Sequence, residues 1–147
     1  MNVYEYLEQV RELDQKVEAR LWERRQLLDM ATRLGADYDG MPKGKGGHSD
    51  PVGEGAVKLA ELAREIDRAV DLFVDTKEAV VAMLARLPHD EYEVLHRYYV
   101  RYKEHPTWDA VCEAMHYSYT SVWRIKCRGI AHLEELLSLE NAKDEIV

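Results

Sequence analysis

Two long helical stripes, parted by a cluster of glycine and proline, constrain this chain more than any other feature. Between Asn2 and Leu34 no glycine or proline occurs, and Val3, Tyr6, Val10, Leu13 and Val17 recur at 3–4 spacing. Leu21, Leu28 and Ala31 extend the row, and Gly35 stands where a helix-terminating glycine belongs. A rod of this kind is roughly 50 Å long at ~1.5 Å per residue. From Glu54 to Leu87 a second stripe runs through Leu59, Leu62, Ile66, Val70, Phe73, Val80, Val81, Leu84 and Leu87. Pro88 then falls in the first turn of a third helix, His89 to about Lys103, where proline is tolerated. That helix carries Val94, Leu95, Tyr98, Tyr99 and Tyr102 along one face, a core pattern rather than a platform for stacking bases. The expected fold class is all-α.

The segment 36–55 holds most of the chain's glycines and two of its four prolines, and reads as a linker. Within it, Gly40-Met41-Pro42-Lys43-Gly44-Lys45 is only superficially a phosphate loop. The spacing is wrong, no Ser or Thr follows the lysine, and no apolar strand precedes it. A solvated linker is the expectation. Neither stripe suits a lone surface helix, so each needs a partner. A dimerising coiled coil would meet that need, but sharing the stripes within one chain avoids the entropy of association. A long N-terminal helical hairpin over 1–87 is therefore expected. A homodimer stays open through leftover apolar positions such as Trp22 and Leu27.

Charge is distributed unevenly. The chain has 147 residues and a net charge of −8. Residues 1–87 carry 13 cationic against 17 acidic side chains, residues 88–133 carry 6 against 6, and residues 134–147 carry 1 against 5. The excess acid thus lies outside 88–133, and non-specific affinity for nucleic acid should be weak unless a dimer or a partner protein adds to it. No apolar run reaches membrane-spanning length, no basic-plus-apolar leader opens the chain, and two distant cysteines make no disulfide framework. These features lead us to expect a cytoplasmic protein with no membrane contact.

The stretch from Thr107 to Leu133 is the most informative. Thr107 can cap a short helix whose inward face is Trp108, Val111, Cys112 and Met115. His116-Tyr117 forms the turn, and Ser118 caps a second helix carrying Val122, Ile125, Gly129, Ile130 and Leu133 at 3–4 spacing. Two capped helices with so short a joint should cross steeply, which is the helix-turn-helix arrangement. From Ala114 to Leu133 there is no acidic residue, while Arg124, Lys126 and Arg128 are cationic. At 100° per residue, Thr120, Arg124, Cys127 and Ala131 point away from the core face, with Ser121, Trp123 and Arg128 flanking them. Lys126 falls at the core edge and would have to snorkel outward. The expected DNA-binding residues are Ser118, Tyr119, Thr120, Ser121, Trp123, Arg124 and Arg128.

Leu87-Pro88, Val94-Leu95, Arg97-Tyr98, Thr107-Trp108, Tyr117-Ser118 and the run Val122-Trp123-Arg124-Ile125 to Arg128-Gly129-Ile130 and Leu133 resemble the region-4 helix-turn-helix of bacterial sigma factors. A closer likeness is to phage and prophage proteins of Gram-positive bacteria, the ArpU/RinA-type late transcription regulators and their relatives. Gly40-Met41-Pro42-Lys43-Gly44, Asp50-Pro51 and the helix from Ala56 onward are similar to the pattern of those relatives. The resemblance covers about Gly40 to Leu137. It departs at His116, where a glycine is usual, and between Arg97-Tyr98 and Thr107, where this chain is longer. It implies a sigma-region-4-type domain at 88–137 after the hairpin, an acidic tail at 138–147, and a phage-derived transcription regulator. Such a regulator would read promoter-proximal double-stranded DNA with helix 118–133 and touch RNA polymerase.

Other chemistry is poorly supplied. Cys112-x3-His116 and Cys127-x4-His132 each fit one helical face, but the spacing is not that of a zinc finger and the two pairs should diverge. His89-Asp90-Glu91 opens a helix, where acid favours the dipole. No nucleophile, base and oxyanion site assembles, so neither an enzyme nor a cofactor or metal is expected. Two rivals remain: a small terminase-like DNA-packaging protein that joins a helix-turn-helix to oligomerising helices, and a protein-interaction module that no longer binds DNA. The expected tail continues the last helix for a turn or two past Glu134 and then frays.

Overall fold

The computed structural model describes residues 1–38 and 51–146. The described residues form five helices and no strand: α1 (Val3–Tyr38), α2 (Pro51–Leu84), α3 (His89–Leu95), α4 (Trp108–Met115) and α5 (Tyr119–Ile146). A π-helical turn, His96–Val100, continues α3. The protein is all-α, and no described helix is long and apolar enough to cross a membrane. The glycine-rich motif Gly40–Lys45, and most of the segment expected as a linker, lie outside the described residues.

α1 starts with a reciprocal cap. The Glu5 N–H donates to Asn2 Oδ1 at 2.8 Å, and the Asn2 N–H donates back to Glu5 Oε2 at 3.2 Å. The helix then runs through Gly35 to Tyr38, so the expected stop at that glycine is overturned. A helical glycine costs only ~1 kcal/mol, which a long hydrogen-bonded helix absorbs. α2 likewise begins earlier than expected, with Pro51 in its first turn, and continues through Gly53 and Gly55. Pro88 lies just outside α3 as its cap residue rather than inside its first turn.

The chain divides into two compact units. One comprises Met1–Glu12 together with the chain from Phe73 onward. Its core joins Val3, Leu7 and Val10 of α1, Val80 and Leu84 of α2, Leu87, Leu95, Tyr99, Val100, and Ile130 and Leu133 of α5. A second cluster, Val94, Val111, Val122 and Ile125, packs with Tyr98, Trp108, Cys112 and Met115. The other unit, Leu13–Leu72, buries far less: Val17, Leu62 and Ile66. There α1 meets α2 through an Arg20–Glu65 ion pair at 3.6 Å. Three stripe positions are corrected: Leu28, Ala31 and Val70 are exposed. Leu28 is 46% and Val70 36% exposed, and half-buried Leu27 and Ala69 take the inward places. A straight helix turns every 3.6 residues, so a row extrapolated at fixed steps drifts off the buried face.

The third helix ends sooner than expected. The Arg101 N–H donates to the His96 carbonyl at 2.9 Å, closing the π turn, and the chain then turns through Glu104 to His105. The inserted residue rotates the inward face, so Val100 is buried beside Tyr99 while Tyr102 is only half-buried. The extra length before Thr107 is therefore taken up by turns and a loop, and not by a longer helix. α5, in contrast, outruns its expected end. Leu136 and Leu137 pack on the core and Glu140 pairs with Arg86 at 3.0 Å, so residues past Glu134 stay helical to Ile146.

Candidate nucleic-acid interface

Local chemistry sets the turn between α4 and α5. Thr107 Oγ1 accepts the Ala110 N–H at 3.2 Å and starts α4. At its end, the His116 N–H donates to Glu113 O and the Tyr117 N–H to Cys112 O, the paired bonds of a left-handed cap. His116 has φ 58° and ψ 36°, the only non-glycine residue with positive φ among those described. A histidine tolerates this conformation, at some cost relative to glycine. Ser118 Oγ then accepts the Ser121 N–H at 3.2 Å and caps α5. Val111 and Val122, both within 1% of complete burial, hold the two helices on α3.

α5 meets α3 closely at Gly129. A Cβ there would lie 2.9 Å from Leu95 Cδ1 and 3.3 Å from Glu91 Cβ, so fully buried Leu95 would have to shift to admit one. Beside this contact stand a carboxylate–imidazole hydrogen bond and an ion pair. His132 Nδ1 lies 2.7 Å from Glu91 Oε2, and Arg128 Nη2 lies 3.2 Å from Asp90 Oδ2. Glu91 is only 2% exposed. By sequence alone, Asp90 and Glu91 read only as helix-start acids. The signal for their role is adjacent acids on one helix and Arg128 and His132 four residues apart on another.

All seven expected site residues lie at the exposed start of α5 or beside it. Thr120, Ser121, Arg124, Cys127, Arg128 and Ala131 are exposed, as the helical wheel requires. Ser121, Arg124 and Arg128 line one flank, where with Tyr117 and Ile125 they border a shallow concavity of about 300 Å³. Arg124 has no ion-pair partner among the described residues, whereas Arg128 is held by Asp90. On the other flank, Tyr119 and Trp123 are exposed and stack on each other, centroids 6.1 Å apart. Lys126 does not reach outward. Its Nζ sits 4.1 Å from the Trp123 ring centroid, 4.9 Å from Trp108 and 5.9 Å from Tyr4, an aromatic enclosure that sequence reading missed because Tyr4 lies so far away in the chain.

Further along the support, Glu93 Oε2 accepts from Arg97 and Arg101 at 3.1 and 3.4 Å. Arg97 also donates to Nε2 of buried His105 at 3.3 Å. Arg101 donates to His96 Nδ1 at 2.9 Å. Burial, and then the charge of Arg101, lowers the His96 pKa. Cys112 is partly buried against the small cluster and Cys127 is exposed. Desolvation raises the Cys112 thiol pKa, and Asp109 adds to the effect. No family model matches the chain, and no curated protein or solved structure is significantly similar to it.

Proposed function

We propose that this protein is a sequence-specific DNA-binding transcription regulator, built as a long helical hairpin followed by a helix-turn-helix of sigma region 4 type. The observation that carries the reading is the start of α5. It is acid-free and capped, and its outward strip stands exposed while its inward face is locked into a core. A helix presented in this way fits the major groove. The concavity beside Arg124 and Arg128 offers guanidinium and hydroxyl groups to a base edge or phosphate. A phage origin, promoter-proximal targets and contact with RNA polymerase rest on the resemblance to sigma region 4 and the ArpU/RinA-type regulators. The packaging reading is the rival, since exposed Trp22, Leu28 and Met30 would suit an oligomer.

A protection assay across the gene cluster that encodes the protein tests the reading, with promoter-restricted footprints expected. A ring-sized oligomer with no such footprint would favour packaging, and absence of any salt-sensitive DNA binding would leave only a protein-interaction module. At the residue level, Arg124→Ala should lose about 1–3 kcal/mol on the footprinted duplex and little on random DNA. Arg128→Ala should weaken all sequences alike and flatten the salt dependence by about one unit of slope. Equal losses on both duplexes for Arg124→Ala would make Arg124 a phosphate contact.

A further inference from the structure

The two flanks of α5 offer different chemistry, and only the cationic one suits a phosphate. The aromatic flank presents Tyr119 at 53% and Trp123 at 45% exposure, next to the strip of Thr120 and Arg124. These rings are set before any ligand arrives. They lie 18° from parallel, and Trp123 is tied inward through Lys126 to Trp108, itself stacked on Tyr98 with centroids 3.9 Å apart. Tyr and Trp carry few rotatable bonds, so an ordered pair gives contact area at low entropic cost. The one cation on this flank, Lys126, spends its charge on those rings.

We propose that Tyr119 and Trp123 form an apolar seat for thymine C5-methyl groups, making thymine a specificity determinant on that side of α5; this rests on the DNA-binding reading above. In the major groove the thymine methyl is the one apolar group that a base pair presents, and it lies at the edge of the groove floor. Exposed Arg124 on the adjoining strip, in a stretch with no acid from Ala114 to Leu133, supplies the charge complementarity that would bring the duplex to this helix. Thr120, an exposed residue of the strip itself, adds its own methyl next to Tyr119. The rings cannot tell adenine from guanine, so discrimination on this flank is for the methyl itself.

The test uses the full chain. A duplex is selected from a random-sequence pool, then resynthesised with uracil in place of thymine, which removes only the methyl groups. Wild type should bind the uracil duplex about three- to fivefold more weakly per methyl contacted. In Tyr119→Ala and Trp123→Ala that ratio should fall toward one, with helicity by circular dichroism retained because both side chains are exposed. Trp123→Phe, which keeps a ring, covers the case in which Trp123→Ala unfolds, and should preserve part of the ratio. Equal wild-type affinity for the two duplexes, or a ratio that survives both alanine substitutions, overturns the proposal while leaving DNA binding intact. Enrichment of no duplex at low salt overturns the DNA reading itself, and the thymine seat with it.

Discussion

The unit that contains α3, α4 and α5 and the unit formed by Leu13–Leu72 are both helical, yet they are stabilised in different ways. In the first, side chains from all five helices close on one another, and Leu7, Leu84, Leu95 and Leu133 are fully buried. In the second, the described residues are two helices that share one seam. Val17, Leu62 and Ile66 are buried, while Trp22, Leu28, Met30, Val57 and Leu72 stay exposed. A cross-helix ion pair within it, Arg20–Glu65, is about half-exposed on both sides, and such pairs contribute ~0–1 kcal/mol. Periodicity alone does not set stability. The number of neighbours that cover a stripe does.

The largest effect should come from removing residues 1–12. They contribute Val3, Leu7 and Val10 to the first unit's core, and burial of each side chain stabilises by ~1.5–3 kcal/mol. That sum rivals the whole stability of a small domain, ~5–15 kcal/mol. A chain beginning at Leu13 should lose cooperative unfolding in urea and the helicity of α3 to α5. If it keeps both, α1 belongs to the second unit alone.

Single core truncations sharpen the contrast. Leu133→Ala should cost about 3–5 kcal/mol in denaturant unfolding, and Ile66→Ala no more than about 2, because a one-sided seam can collapse around the missing atoms. Equal costs would erase the distinction between the units. Next in size is His132→Ala, which strands the buried Glu91 carboxylate and should cost about 1–3 kcal/mol. Adding Glu91→Met should recover most of the loss, since an apolar replacement leaves nothing unpaired.

The smallest effect is a pH dependence. The His96 pKa is lowered in the folded state, so below the ordinary value of 6.5 the unfolded chain binds a proton that the folded one resists. Stability contributed by the neutral ring is present above that pH and is lost as pH falls below it. His96→Gln keeps an acceptor for Arg101 and removes the titration. Its melting midpoint should fall less than that of wild type between pH 7.5 and 5.5, and parallel curves would assign the acid sensitivity to other groups.

Much of the candidate interface was legible in the sequence because its determinants are local. Thr107 and Ser118 cap through their own hydroxyls, His116 adopts its left-handed turn within a few residues, and a 100° wheel separates Val122 and Ile125 from Thr120 and Arg124. The helical class follows from the same short-range spacing. Tertiary structure decided what depends on residues distant in sequence. The buried Glu91–His132 bond, the hold of Asp90 on Arg128, the close approach at Gly129 and the enclosure of Lys126 beside Tyr4 each join separate elements. Helix ends were also decided there. Gly35, Tyr102 and the residues after Glu134 carry local preferences of ~1 kcal/mol or less, and helix continuation or packing outweighs them.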